Sequence, residues 1–202
     1  LDDRLRYKGA LLFSDLNLDF YSLGQISLNR PVEFNLSGPV LFQQLMKRHG
    51  DSNWFYGARQ LYREVHLRYA GSRQIGRVPP AAVDLVASYI EQDITTSGLG
   101  LVLEYDSRDN PLGPTQGYNY VAHFTRFDDA LGSDVEYSAL HLQGLNYWGL
   151  SARWDLALRV QYDSASGDRE LPPYVLPAVD LRGISITRYQ GEAVLTSEVE
   201  LT

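Results

Sequence analysis

The clearest pattern in the chain is an alternation of apolar and polar side chains over residues 151–163. The apolar positions are Ala152, Trp154, Leu156, Leu158, Val160 and Tyr162. A period of two indicates an extended strand with one apolar face and one wet face. Such a strand is about twice the usual length in soluble proteins, which is roughly five to six residues. Its length and its aromatic residues near both ends are typical of a membrane-spanning barrel strand of roughly 9–11 residues. The alternative is a long strand of a soluble β-sandwich or lipocalin-like barrel.

Seven other segments repeat this alternation, so the sequence predicts eight strands. The other seven lie near residues 5–14, 32–43, 54–70, 99–106, 118–125, 134–146 and 193–201. On this interpretation every second side chain touches hydrocarbon, and its neighbours face an aqueous bore. Segment 54–70 is less regular because Arg59 and Arg63 fall among its apolar positions. Segment 134–146 changes parity near Ala139–Leu140, which indicates either a bulge there or a register read wrongly from the sequence.

The connections between the predicted strands alternate between short turns and long loops, as in outer-membrane barrels. Short turns are expected near 48–53, 107–117 and 147–151, and long loops over 15–30, 71–97 and 164–191, while the turn at 129–133 is short for its side. Within 71–97, Pro79-Pro80 precedes an amphipathic stretch that predicts a short helix.

Composition narrows the class of protein. The 202 residues fit one domain, 1–202, and the predicted fold class is all-β, a transmembrane antiparallel β-barrel. The absence of Cys excludes disulfides and thiolate metal sites, and the net charge of −7 argues against a nucleic-acid partner. No run approaches the roughly 18 uncharged apolar residues of a transmembrane helix.

No pattern in the sequence predicts an enzyme, a metal site or a cofactor. The four histidines, His49, His66, His123 and His141, lie far apart without metal-ligand spacing. A serine nucleophile elbow and a complete dinucleotide-binding glycine motif are both missing.

Three segments in the second half of the chain resemble one family. Residues 98–117 are predicted to form a glycine-rich strand followed by Asp-x-Arg-Asp and Pro-x-x-Gly. Residues 179–183, inside the long loop, have the sequence VDLRG, and residues 188–201 are predicted to form the strand after that loop. Together they resemble the BamA/TamA-type outer-membrane assembly and translocation barrels, the bacterial surface-antigen family. The strand–turn signature consists of Asp106, Arg108, Asp109, Pro114 and Gly117. Acid–base or metal chemistry is one interpretation of its charged residues, and a turn in which the carboxylates and the arginine fix one another is the simpler one.

The resemblance implies a loop tip that folds back into the barrel lumen, with Arg182 and Gly183 at that tip. A guanidinium inside a barrel is stabilised by carboxylates that accept its fork of donors. Glu200 matches the family's acidic partner, and Glu198 is a nearby alternative. The opposing interpretation is an arginine solvated at the loop surface.

The sequence departs from the family pattern in three ways. Ile184 stands where an aromatic residue usually follows Arg-Gly, no helper domains precede the barrel, and Thr202 is not the aromatic residue of a complete barrel end. The family's second acidic partner would lie on a strand after Thr202. We therefore expect this chain to be part of a larger barrel.

The loop also raises a question of size. An eight-stranded barrel has an interior that its own side chains fill, so the 164–191 loop would not fit inside it. The family barrels have sixteen strands. The chain is therefore expected to be part of a larger barrel, or to pair with a second copy, because open sheet edges cannot face lipid. Closure of the eight strands alone, with the loop outside, is the third arrangement.

The sequence thus predicts a non-enzymatic barrel of the bacterial outer membrane. Its expected function is related to protein assembly or translocation, with membrane lipid, client outer-membrane or secreted polypeptides and a second copy of the chain as partners. The first alternative is a passive pore or structural barrel, in which Arg153, Arg159, Asp155 and Glu104 would set ion preference. The second is a soluble β-barrel that binds a ligand.

Overall fold

Eight antiparallel strands make up the fold in a computed structural model that describes residues 4–23, 26–71, 92–151, 153–169, 171–185 and 188–202. The strands are β1 (Leu5–Leu23), β2 (Ile26–Arg48), β3 (Trp54–Gly71), β4 (Gln92–Asp106), β5 (Gly117–Phe127), β6 (Tyr137–Ser151), β7 (Trp154–Ser166) and β8 (Ala193–Leu201). Short 3-10 turns occupy Asp129–Leu131 and Pro173–Val175.

Each strand pairs with its neighbours in the sequence, in the order β1 to β8. The sheet is the wall of a half-barrel, with β1 and β8 at its two edges. Among the described strands these two edges do not pair with each other. Closure of the eight strands alone is therefore not the arrangement found.

The outer face of the sheet is apolar, which confirms the parity predicted for β1, β4, β5, β7 and β8. The outward side chains remain largely exposed and include Leu11, Phe13, Leu101, Phe124, Trp154, Leu195 and Val199. A surface of this extent in a water-soluble monomer would be an unusually large apolar patch. One end of the face is lined with aromatic rings, since Tyr105 packs against Trp54 at 5.0 Å and against Tyr120 at 6.1 Å between centroids. Aromatic girdles of this kind lie at the membrane–water interface of barrels.

On the outer face, a row of polar side chains limits the apolar band at the end of β1–β4 opposite the aromatic rings. The Asn35 amide donates to Asp15 at 2.7 Å and to Asn17 at 2.9 Å. Farther along the row, Asp93 accepts from Arg68 at 2.7 Å and contacts His66 at 2.9 Å. These groups belong in water or among lipid head groups, so β1 and β2 continue beyond the hydrocarbon region.

The structure corrects several predictions about the ends and register of the strands. The predicted 15–30 loop is wrong, because β1 and β2 extend through most of it and pair from Leu5↔Lys47 to Leu23↔Ile26. The turn predicted at 147–151 lies within β6, and the end of the predicted 71–97 loop belongs to β4. The bulge considered near Ala139–Leu140 is also wrong, since β5 and β6 stay in one register from Gly117↔Tyr147 to Phe127↔Tyr137.

The apolar positions of β2 and β3 point to the inner face rather than to lipid. Phe34 of β2 and Leu67 of β3 are buried together, and Tyr174 of the long loop packs against them. Phe55 packs with Met46 and is also covered by the Arg6 guanidinium, 3.6 Å from the ring centroid. Apolar side chains lie on both faces of these strands, so alternation by itself does not indicate which face is outside.

The helix predicted after Pro79-Pro80 lies outside the described residues. In the part of the chain that is described, no helix is long and apolar enough to cross a membrane.

Candidate functional site

The connection between β7 and β8 folds onto the inner face of the sheet, and its first part is held there by apolar packing. Leu171 is only 5% exposed and contacts Phe127, Tyr137 and Ala165, which lie on the inner face of β5, β6 and β7. The Phe127 and Tyr137 rings are stacked 4.2 Å apart and form the floor under the leucine. We call this cluster of four residues the loop root.

Beyond the root, the loop forms a small hairpin of its own. The Val179 amide donates to the Tyr189 carbonyl at 2.9 Å, and the Gly191 amide donates to the Pro177 carbonyl at 3.1 Å. The side-chain amide of Gln190 donates to the Pro173 carbonyl at 2.9 Å. These bonds fix the path of the loop backbone, so its tip projects along the inner face toward β8.

Tyr174 follows the root on the short 3-10 turn. Burial against Phe34 and Leu67 raises the pKa of its phenol, and its hydroxyl has no hydrogen-bond partner among the described residues. The ring therefore serves as an apolar contact between the loop and β2–β3.

The structure places Arg182 beside both glutamates proposed from the sequence. One guanidinium nitrogen, Nη2, lies 3.3 Å from Glu200, and Nε lies 3.7 Å from Glu198. Both carboxylates belong to the inner face of the edge strand β8. The Arg182 side chain is nevertheless 78% exposed, so these contacts are made at the rim of the sheet and not in a closed interior.

Gly183 turns the backbone at the tip. Its φ of +81° lies in the left-handed region that favours glycine, and the Ile184 amide donates to the Leu181 carbonyl across the turn at 3.2 Å. A residue with a side chain at this position would strain the turn that presents Arg182 to β8.

A second ionic contact, which the sequence did not indicate, holds the same tip from the opposite direction. Arg159 on β7 donates through Nη2 to the Asp180 carboxylate at 2.8 Å and to the Asp180 carbonyl at 3.0 Å. The same nitrogen reaches Gln161 at 2.9 Å, and Nη1 lies 3.6 Å from Glu198. Two features of the sequence could have predicted this contact: the acidic residue two places before Arg182 and the inward parity of Arg159.

Polar side chains continue from this contact along the inner face of β5–β7. Gln161 donates to Asp163 at 2.6 Å, and Asp163 contacts His141 at 2.6 Å. The His141 ring is stacked on His123 at 4.4 Å. His123 and His141 lie far apart in the sequence, and the β5–β6 register places them opposite each other.

The strand–turn signature lies elsewhere, in the turn between β4 and β5. Arg108 binds Asp106 with both ends of its guanidinium fork, through Nε and Nη2 at 2.9 Å each. Gly117 has a φ of +103°, and a Cβ there would lie 2.4 Å from the Ser107 carbonyl oxygen, so glycine is required. Pro114 lies between these residues, in the irregular part of the turn.

Asp109 organises the rest of this turn. Its carboxylate accepts from the Thr115 hydroxyl at 2.7 Å and from the backbone amides of Asn110, Thr115 and Gln116. These bonds, the Thr115 hydroxyl first, lower the pKa of Asp109. All its contacts satisfy the turn itself, which is the geometry of a structural turn rather than of a reaction centre. In the described residues no group of three or more His, Cys, Asp or Glu side chains is arranged to hold a metal ion.

A curved antiparallel sheet with an apolar outer face and a long loop packed on its inner face is the wall of a transmembrane β-barrel. The comparisons with known proteins identify its family. The Omp85 superfamily domain matches residues 45–176, more than half of the chain, and the chain belongs to this superfamily.

Solved structures share the fold of this chain. Thirteen chains match, among them the crystal structure of BamA from Haemophilus ducreyi lacking POTRA domains 1–3. The two share 14% sequence identity and superpose with a TM-score of 0.61 over 98% of this chain. At this identity the likeness shows the fold alone. The chain spans 41% of the length of that BamA chain, and a search of curated proteins found no match.

Proposed function

We propose that this chain forms part of a bacterial outer-membrane barrel that assists the assembly or translocation of other polypeptides and catalyses no reaction. Membership of the Omp85 superfamily supports the class of barrel. The observation that carries the proposal is the β7–β8 loop on the inner face, whose tip lies against Glu198 and Glu200.

The proposed role of the Arg182 contacts is that of a clamp. By joining the loop tip to β8, they fix the position of this edge strand relative to the loop root on β5–β7. A barrel that engages clients through its wall must keep most of its strands in register while the wall opens. An ionic contact between the loop tip and one strand can break and re-form without disturbing the apolar root.

The outer face supports the proposed location in a membrane. Leu11, Leu101 and Leu195 are each about 70% or more exposed and lie on strands across the whole width of the sheet. Lipid tails are the partner that matches such a face, and a second copy of the chain, or further strands, would cover the edges β1 and β8.

A passive pore receives less support. Of the four residues that would set ion preference, Glu104 lies 3.4 Å from Arg6 and 3.8 Å from Lys8, and Arg159 is bound by the loop. Charges that are neutralised by fixed partners have little influence on passing ions.

The proposed clamp is tested by Arg182→Ala in the full chain, reconstituted in lipid vesicles. We expect Arg182→Ala to lower the unfolding temperature of the chain, measured by its gel mobility after heating. We also expect the variant to slow the insertion of a client barrel protein added to the same vesicles. Arg153→Ala is the matched control, because Arg153 is an exposed cation at the start of β7, away from the loop tip. If Arg182→Ala leaves both heat resistance and client insertion unchanged, the clamp is rejected.

The assembly function itself is tested by comparing client insertion with ion conductance. Vesicles that contain the chain should insert client barrels faster than empty vesicles. Conductance in planar bilayers without any gain in client insertion would favour the passive pore, and purification of the folded chain without detergent would favour the soluble binder.

A further inference from the structure

The loop tip is joined to the sheet by two ion pairs of opposite polarity. In one pair the cation belongs to the loop and the carboxylates to β8, as Arg182 meets Glu198 and Glu200. In the other the cation belongs to β7 and the carboxylate to the loop, as Arg159 meets Asp180. The two pairs share one group, because Glu198 lies 3.6 Å from Arg159 and 3.7 Å from Arg182.

The geometry favours the second pair as the stronger one. The Arg159 contacts to Asp180 measure 2.8 and 3.0 Å, while Arg182 has no contact to the glutamates shorter than 3.3 Å. Burial does not separate the two pairs, since Arg159 and Asp180 are 24% and 62% exposed while Arg182 and Glu198 are 78% and 25% exposed. The shorter charge-assisted hydrogen bonds distinguish the Arg159 pair.

The backbone contact adds a constraint that a simple ion pair lacks. Because Arg159 donates to both the carboxylate and the carbonyl of Asp180, it fixes the peptide just before the turn that carries Arg182 and Gly183. The position of Arg182 over β8 thus depends on the contact between Arg159 and Asp180.

We propose that Arg159 is the principal positioning residue of the loop tip, and that its contact with Asp180 sets how often Arg182 is released from β8. This inference rests on the loop clamp of the proposed function and assigns its control to β7. It makes the loop a two-point latch in which the β7 contact opens last.

The latch is tested by the mobility of a spin label at Ser185→Cys, an exposed loop position in a chain that otherwise has no Cys. The full chain is folded into lipid vesicles, and the fraction of mobile label is measured in Arg159→Gln, Asp180→Asn and the double variant. Arg159→Gln should raise the ratio of mobile to immobile label about fivefold, as expected for the loss of one partly shielded charge pair. Asp180→Asn should raise it less, because its carbonyl still accepts from Arg159.

The double variant decides whether the two residues act as partners. If they do, it should be no more mobile than Arg159→Gln alone, whereas independent effects would multiply. Arg153→Gln, which removes the same charge at the start of β7, should leave the label unchanged. The proposal is overturned if Arg159→Gln leaves the label immobile, or if the two single effects multiply.

The measurement also separates this proposal from the proposed function. Label mobility is recorded without any client, so an immobile label in Arg159→Gln contradicts the latch but not the assembly role. Conversely, a latch that behaves as expected in a chain that inserts no client would leave the latch standing and contradict the assembly role. Asp180 is exposed on the loop, so Asp180→Asn gives an answer even if Arg159→Gln fails to fold.

Discussion

Truncation of Leu171 at the loop root should release the loop from the inner face without unfolding the sheet. Its side chain is 5% exposed and packs on the stacked Phe127 and Tyr137 rings. Leu→Ala changes at buried sites cost about 2–5 kcal/mol, and we expect the lower part of this range, about 2–3 kcal/mol, because a loop can partly collapse into the space. Because the pairing of the strands does not depend on the Leu171 side chain, the whole loss should appear as a lower free energy of loop opening.

Hydrogen exchange at the loop amides measures this opening directly. The Val179 and Gly191 amides are protected by hydrogen bonds within the loop hairpin. An isolated two-stranded hairpin is at best marginally stable in water, so these bonds should break when the loop leaves the inner face. When exchange follows the open population, a loss of about 2–3 kcal/mol accelerates it about 30- to 150-fold. Amides in the centre of β6 and β7 should keep their wild-type rates.

Leu195→Ala is the matched control for this truncation. Leu195 is 70% exposed on the outer face of β8, so the same atoms are removed from the same kind of residue away from the loop. Exchange at Val179 and Gly191 should stay at the wild-type rate in this control. An acceleration of less than about threefold in Leu171→Ala would refute the reasoning, because the truncated part of the leucine would then contribute under about 0.7 kcal/mol to loop closure.

Three further predictions concern the turn after β4 and the outer face. Gly117→Ala should lower the stability of the folded chain in urea unfolding, because the backbone φ at this position is +103°. Gly113→Ala is the control and should have little effect, because the added methyl group would meet only open space. Because the fold lowers the pKa of Asp109, the contribution of its carboxylate to stability should be complete above about pH 4, the ordinary aspartate range, and should be lost as the pH falls through the lowered pKa. Hydrogen exchange of the Thr115 amide should show this loss, and Asp109→Asn should abolish the pH dependence. Leu101→Arg should cost about 2–4 kcal/mol in lipid if this residue lies near the bilayer midplane, and equal stability of mutant and wild type in vesicles would contradict the lipid-facing parity.

The predicted strands follow from residue patterns that depend only on the neighbouring sequence. In β4, β5, β7 and β8 one face is polar, so alternation indicated both the strand and its outward side, and the structure agrees. In the 15–30 region the same alternation was present in Asp15, Leu16, Asn17, Leu18 and Asp19, yet the polar outer residues there suggested a loop. Those residues are polar because the hairpin has left the hydrocarbon region, and position relative to the membrane is not a local property of sequence.

The sequence also located much of the candidate site. The resemblance of VDLRG to the family's loop tip implied that this segment is the tip, and the parity of β8 indicated Glu198 and Glu200 as inward carboxylates. The structure brings these groups within ionic contact of Arg182, although their role as a clamp stays a prediction.

What only the tertiary structure decided is the set of contacts between the loop and the inner face. Phe34 and Leu67 point inward because Tyr174 of the loop covers them, and Arg159 binds the tip because the loop returns along β7. His123 meets His141 because the turn at 129–131 sets the register of β5 and β6. Each depends on chain segments that are distant in sequence. Local periodicity therefore specifies a strand and its two faces, whereas the groups that lie opposite each face are determined by the fold as a whole.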